Sequence, residues 1–490
     1  MRHTAKLVAS YRAMGRVYGS LLMLLGAVHL APLPLLIAYP DELPLLRAFL
    51  APGLGAAAVG LVLRLAFRRA RPAVLTLQDG VLVTFLAWST ACLLSSLPLF
   101  LSGYSGREAL FESVSGWSTT GLTLLDATEA SPLILFWRAF LQLLGGAGLV
   151  LVISSALAGP WATGLYQAEG HGEPLLPHLG RTARMILGIY LGYTVLGMGA
   201  FLVAGMGFFD AVLHAMTALS TGGFSTRNGS LGEFDSRAVE GVALVLMFLG
   251  NLNFVVHFLI LRGKWRQVLR HGELHVFAAA LAIAVPLIFL GAAWPAWGAA
   301  SGLRHSVFQC ASALTGTGFS IAPDDQWNSL GAAVLIGLML IGGGVNSTAG
   351  AIKQHRVHLI FRSLLWQVKR FFMPRSAVAV HQIQHGEKRI VVDAEHLRGV
   401  FNYALLYLLA WSAGSMILMG HGVGMQEAFF EFASALGGVG LTTGLTAPGA
   451  PAGVLWTEIA GMFLGRLEFF VVILGVTKIV LDLRDLSRRR

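Results

Sequence analysis

The sequence predicts an all-α polytopic membrane protein, with four parallel span–short-helix–span repeats arranged around one axis and two extra spans before them. Three observations predict it. Of 490 residues, 55% are hydrophobic and 12% charged, where a soluble domain carries about 25% charged residues. Ten apolar runs are long enough to cross about 30 Å of hydrocarbon, and four shorter ones are not. Between these runs recur polar, glycine-rich stretches such as "STGGFST" at 220–226. Stretches of this kind ordinarily mark surface turns.

The long runs lie near 17–38, 48–67, 80–102, 132–157, 184–206, 239–261, 275–294, 330–350, 400–420 and 455–482. The first follows a few basic residues as a signal sequence does. It runs too long and lacks a clear cleavage site, so it reads as a span. The shorter runs, near 108–118, 210–220, 306–315 and 426–437, read as re-entrant helices. Non-helical backbone at membrane depth is tolerated only where protein or water covers it. This gives an extra helix pair over 1–70 and repeats over 71–160, 161–270, 271–397 and 398–490.

Net charge is +10, and the basic clusters (64–71, 262–270, 353–375, 488–490) alternate with acidic connections at Asp41 and Glu42, Asp126 and Glu129, and Glu233 and Asp235. That alternation is the positive-inside pattern of a multi-pass protein with both termini cytoplasmic, and it argues against nucleic acid. Cys92 and Cys310 sit in apolar contexts and read as small core residues. The histidines have no metal-ligand spacing, so no transition metal is expected. No HExxH, GxSxG or Walker loop appears, and an enzyme is not expected. Asp324 and Asp325 resemble a catalytic pair but fall in an outer loop.

Aligning Gly121, Gly223, Gly318 and Gly440 exposes the repeat. Nine residues earlier stand Glu112, His214, Gln309 and Glu431; six earlier, Ser115, Thr217, Ser312 and Ser434; two later, Thr123, Ser225, Ser320 and Thr442. A span glycine follows each, Gly145, Gly250, Gly342 and Gly465, at offsets of 24, 27, 24 and 25 residues. Each unit crosses the membrane twice, so all four copies share one orientation.

The register segments are Thr119-Thr120-Gly121-Leu122, Thr221-Gly222-Gly223-Phe224, Gly316-Thr317-Gly318-Phe319 and Gly438-Val439-Gly440-Leu441. Glycine reaches backbone angles closed to other residues, turning successive carbonyls to one side. Four such loops around one pore make rings of oxygen that replace a monovalent cation's hydration shell. In the third repeat's second span, Gly342, Gly343 and Gly344 followed by Asn346, Ser347 and Thr348 predict a broken helix, at about 1 kcal/mol per glycine against alanine. A mobile gate loop explains such a break. Arg466, in the matching span of the fourth repeat, costs at least about 2.5 kcal/mol at mid-membrane and needs a partner or a watery cavity. Arg138 is read as snorkelling to the outer surface.

The stretches "ALFESVSGWSTTGLT", "FFDAVLHAMTALSTGGFST", "IGGGVNSTAGAIK" and "FLGRLEFF" resemble the membrane subunit of Trk/Ktr-type potassium transporters, in the TrkH branch with two extra N-terminal spans. The resemblance implies four M1–pore-helix–M2 repeats and potassium uptake across the bacterial cytoplasmic membrane. Potassium, with sodium and rubidium as further candidates, is then the substrate, and no organic cofactor is bound. It implies a homodimer in lipid with a cytosolic ring of nucleotide-binding RCK subunits of the TrkA type. It also places Arg466 beneath the filter as an electrostatic barrier beside the broken-helix loop. The stretch 351–397 is read as a surface helix or as the docking site for that ring. The alternative function is a proton- or sodium-coupled secondary transporter of another solute, a class that often shows inverted repeats and midplane carboxylates. Here the repeats are parallel.

Overall fold

The computed structural model describes residues 2–70, 75–148, 179–322, 326–374, 381–385 and 388–487. Among the described residues the principal helices, in chain order, are α1 (Arg2–Val28), α2 (Leu46–Ala66), α3 (Leu77–Leu101), α4 (Gly106–Trp117), α5 (Pro132–Ala147) and α6 (Leu179–Val203). Then come α7 (Phe208–Leu219), α8 (Arg237–Asn251), α9 (Phe254–Leu261), α10 (Gly272–Ile288), α11 (Trp294–Thr315) and α12 (Ser329–Ile341). The last are α13 (Gln354–Phe371), α14 (Ala394–Gly420), α15 (Met425–Gly437), α16 (Ala452–Arg466) and α17 (Phe470–Ser487). Among the described residues six helices are long and apolar enough to cross a membrane, or up to eight if each sharply bent pair counts as one span. The chain is therefore a multi-pass membrane protein built of helical spans. The part of the fourth apolar run beyond Gly148, and Asp324 and Asp325, lie outside the described residues.

Local chemistry starts the helices where the sequence changes character. Ser105 and Glu108 form a capping box at the head of α4, with bonds of 3.3 and 3.0 Å, and Thr76 with Asp79 does the same for α3. Ser131 caps α5 ahead of Pro132, and Asn328 and Asp393 cap α12 and α14. Each cap satisfies an otherwise orphaned N–H, worth about 1 kcal/mol. The third short helix is longer than its apolar run suggests. A five-residue π turn (Phe289–Ala293) leads into α11, which kinks at Gly298 (φ 76°) and continues unbroken to Thr315.

The chain divides into two compact units. The first comprises Met1–Ser118, Thr123–Gly192 and Phe463–Arg490. In it, α1 and α2 cross antiparallel at two glycine pairs. A Cβ on Gly19 would lie 2.7 Å from the Gly60 carbonyl oxygen, and one on Gly26 would lie 2.5 Å from that of Gly53. Lipid offers no hydrophobic drive for association, so close backbone approach through small residues holds such a pair. Beside it, α17 joins α3 through Lys478, which lies 3.3 Å from Asp79 and 3.1 Å from Asp482.

The second unit comprises Thr119–Leu122 and Tyr193–Met462. One core gathers Ile288, Leu314, Leu335, Met339, Val439 and Leu441; another gathers Phe201, Met206, Leu231, Leu246, Phe308 and Phe319. Helix α13 is followed by a hairpin, Gln382–His385 against Lys388–Val391, that the sequence did not suggest. Leu359, Ile383, Val392 and Val400 form a small core beneath it, and Trp366 stacks on His381.

Second spans break in more places than predicted. Only the third repeat's glycine run was expected to break, and it does, after Ile341. In the second repeat α8 and α9 meet at 106°, and in the fourth α16 and α17 meet at 98°. Asn253, capping α9, supports the first of these bends, with its Oδ1 3.0 Å from the N–H of Val255. At the other, Glu468 and Phe469 take left-handed backbone at φ 52° and 54°.

Candidate functional site

The four register loops close into a ring. A Cβ on Gly121 would collide with the carbonyl of Gly222, one on Gly223 with that of Thr317, one on Gly318 with that of Val439, and one on Gly440 with that of Thr120. Each glycine thus abuts the carbonyl just before the next repeat's glycine, and the fourth returns to the first. All four glycines have positive φ, between 73° and 98°. Only a residue without a side chain allows this approach, which is why glycine holds all four places.

Backbone handedness alternates along each loop. Two residues before the ring glycine the chain is again left-handed, at Thr119 (φ 56°), Thr221 (φ 51°), Gly316 (φ 69°) and Gly438 (φ 65°). The threonines bear a strain of about 1–3 kcal/mol there, and their neighbours hold them in it. Thr221 Oγ1 donates to the Ser220 carbonyl at 2.7 Å and meets Thr348 Oγ1 at 2.9 Å.

Side chains turn away from the axis. Thr120, Leu122, Phe224, Thr317, Phe319, Val439 and Leu441 are buried, while the four ring glycines remain partly exposed. The accessible lining is therefore main chain. Phe319 packs in the core built on the second repeat, and Leu441 in the one built on the third. Each of these two loops is wedged by the repeat before it.

Behind each loop the two polar columns of the sequence meet. Glu112 Oε1 accepts from Thr123 Oγ1 at 2.8 Å, His214 Nε2 lies 2.9 Å from Ser225 Oγ, Gln309 Nε2 donates to Ser320 Oγ at 3.2 Å, and Glu431 Oε1 accepts from Thr442 Oγ1 at 2.6 Å. This strut spans eleven residues in every repeat. It ties the short helix to the chain leaving the loop.

The sequence columns contained these pairs, but not the partner of Arg138. That arginine does not snorkel. It is buried, with Nε 2.9 Å from Glu112 Oε2 and Nη2 donating to Thr123 Oγ1 at 2.7 Å. A carboxylate nine residues before the ring glycine recruits a cation from the second span, because an uncompensated buried charge costs several kcal/mol.

The expected gate loop lies against the ring from within the second unit. Gly342 ends α12 at φ 67°. Thr348 Oγ1 donates to the Gly250 carbonyl at 2.9 Å, and the Gly344 N–H donates to the Asn251 carbonyl at 3.1 Å. Gln354 Nε2 bonds Asn251 Oδ1 at 3.1 Å and the Gly342 carbonyl at 3.0 Å, and the Val345 N–H donates to Glu273 at 3.2 Å. A Cβ on Gly343 would come within 2.9 Å of Asn251 Oδ1. The Phe254 N–H in turn donates to the Asn346 carbonyl, and Ser347 Oγ donates to the Gly344 carbonyl at 2.6 Å. Asn251, Glu273 and Gln354 are thus site residues the sequence reading missed, since nothing local marks three polar groups from three helices as one cluster. Arg466, in the first unit, donates from Nη2 to the Gly145 carbonyl, with its guanidinium 5.7 Å from the Trp88 ring centre.

Comparison with known proteins identifies the family. The sequence matches the TrkH family, described as a cation transport protein, over residues 48–279 and 296–481. It is 30% identical over 484 residues to a cation transporter of Methanocaldococcus jannaschii, covering 96% of this chain and 97% of that one. It is 31% identical over 487 residues to the Trk system potassium uptake protein TrkH of Halomonas elongata, covering 96% and 98%. The crystal structure of the potassium transporter TrkH from Vibrio parahaemolyticus superposes with a TM-score of 0.82 at 26% identity, covering 94% of this chain and 98% of that one. A four-loop glycine ring on a helical multi-pass scaffold, matched nearly end to end, places the chain in the TrkH family of cation transport proteins.

Proposed function

We propose that this protein takes up potassium, selected by the carbonyls of residues 119–122, 221–224, 316–319 and 438–441. The observation that carries the reading is the closed ring, in which each glycine abuts the carbonyl of the next repeat. With the flanking side chains buried, a passing cation meets oxygen dipoles, the arrangement that substitutes for hydration water. The relatives from Halomonas elongata and Vibrio parahaemolyticus bear potassium in their names, which favours potassium over another monovalent cation.

In this proposal the loop from Gly342 to Thr348 is the gate. Its left-handed hinge at Gly342 and its hydrogen bonds to Gly250, Asn251 and Glu273 let it exchange between a docked and a withdrawn state. Arg466 acts as a fixed positive charge against cations in the resting pore. The repeats divide at 71–160, 161–270, 271–397 and 398–490, after an N-terminal pair over 1–70. The protein resides in the cytoplasmic membrane of a bacterium with both termini inside. It works as a homodimer on a cytosolic ring of nucleotide-binding regulatory subunits, and uses no organic cofactor, transition metal, nucleic acid or catalytic step.

The test is rubidium and sodium flux into liposomes holding the purified protein, wild type beside Gly223→Ser. Wild type passes rubidium in preference to sodium, and the variant loses that preference. Equal passage of both ions by wild type, or an unaltered variant, refutes the filter.

A further inference from the structure

Seven residues before each span glycine the four repeats carry Arg138, Ala243, Leu335 and Glu458. In the first repeat this position supplies the cation for Glu112. In the fourth it presents a second carboxylate to Glu431. Both glutamates are fully buried. Thr446 stands between them, its Oγ1 2.9 Å from Glu458 Oε1 and 3.2 Å from Glu431 Oε2.

A threonine hydroxyl has one hydrogen and cannot donate to two carboxylates. Glu431 Oε1 already accepts from Thr442 Oγ1 at 2.6 Å, the Thr443 N–H at 2.7 Å and Thr443 Oγ1 at 3.0 Å. That donor set belongs to an ionised carboxylate. Among the described residues Glu458 bonds only Thr446, and its Oε2 is buried with no donor, so an ionised Glu458 would leave charge unsolvated. Two like charges this close do not both ionise in a buried site.

Titratable groups on the surrounding elements include Glu427 at the head of α15, Tyr403 and Tyr407 of α14, His421 beside Gly453, and Arg466 at the end of α16. Helix α12, which also packs on α15, carries none. Among the described residues none of these groups, and no lysine or arginine, bonds to either carboxylate.

We propose that Glu431 and Glu458 form a proton-binding site, in which Glu458 stays protonated, donates to Thr446 Oγ1 and so leaves the Thr446 hydroxyl to donate to Glu431. The bound proton is the fourth repeat's counterpart of the first repeat's arginine. It holds residues 442–446, the chain leaving the fourth loop. Raising the pH removes it, sets two carboxylates in opposition and releases that segment. Glu458 is a positioning residue, and its effect on permeation rests on the filter reading above.

Two measurements on the purified full-length protein separate the claims. Infrared spectroscopy at neutral pH shows a protonated-carboxyl stretch in wild type that Glu458→Gln lacks, since glutamine keeps an N–H donor to Thr446 but no acid. Identical spectra in that region overturn the proton site, whatever the transport result. In liposomes, the rubidium-over-sodium ratio of wild type falls by about tenfold or more as pH rises through the titration of the pair, the size of one lost bond to a charged group. Glu458→Gln shows no such fall. An alkaline fall of equal size in both proteins overturns the coupling to the filter, whereas absence of rubidium flux at every pH overturns the filter reading and leaves the infrared result standing.

Discussion

Gly318→Ala tests the ring most directly. The added methyl would lie on the carbonyl oxygen of Val439, 2.8 Å from its carbon and 3.0 Å from the Gly440 Cα. These are backbone atoms, with no flexible side chain to give way. Left-handed backbone costs an L-residue about 1–2 kcal/mol, and forcing a methylene into packed surroundings adds about 1–3 kcal/mol. The strain relaxes by pushing the Val439 carbonyl out of the ring. If about 2 kcal/mol of that strain is expressed as poorer replacement of potassium's hydration shell, selectivity falls about 30-fold at 1.4 kcal/mol per decade. Rubidium-to-sodium permeability ratios in liposomes provide the assay. Gly337→Ala on α12 is the control, because a Cβ there meets nothing within 4 Å. A Gly318→Ala protein that is folded and as selective as the control would refute the reasoning.

Other perturbations reach neighbouring parts. Arg138→Gln strips the buried Glu112 of its cation and lowers stability by about 3–5 kcal/mol; adding Glu112→Gln recovers most of it, read by thermal unfolding in detergent. Thr348→Val removes the bond to the Gly250 carbonyl, worth about 1 kcal/mol, and raises rubidium leak in the absence of regulatory subunits. Arg466→Ala raises the same leak and does so more at low ionic strength, where fixed charge is least screened; a flux independent of salt contradicts the barrier role. Gly26→Leu separates α1 from α2 and lowers thermal stability while leaving the permeability ratio unchanged, so a selectivity change there argues against the extra helix pair as scaffold.

How far these features were legible depended on whether they recur. The ring glycines, the polar residue nine before and the hydroxyl two after appear in all four copies, and each column became a contact. The Arg138–Glu112 pair was not legible, because its members lie on different helices and the matching positions hold Ala243, Leu335 and Glu458, so no column announced it. The bend at Leu467–Phe469 carries no glycine or proline. Left-handed Glu468 and Phe469 are imposed by tertiary packing, against their local preference. The hairpin at 382–391 was hidden for another reason: its charged residues read as part of a solvated cytosolic stretch. Thr119 and Thr221 occupy places where Gly316 and Gly438 sit elsewhere, so composition at that column did not announce the handedness the backbone adopts.

One chain supplying all four quadrants has a consequence for how this ring changes over generations. In a ring of identical subunits any substitution strikes four times at once, and most routes to a new filter pass through a dead intermediate. Here Glu112, His214, Gln309 and Glu431 hold equivalent struts with different chemistry. Each corner can drift alone while the other three struts hold, so the ring can acquire asymmetry one codon at a time.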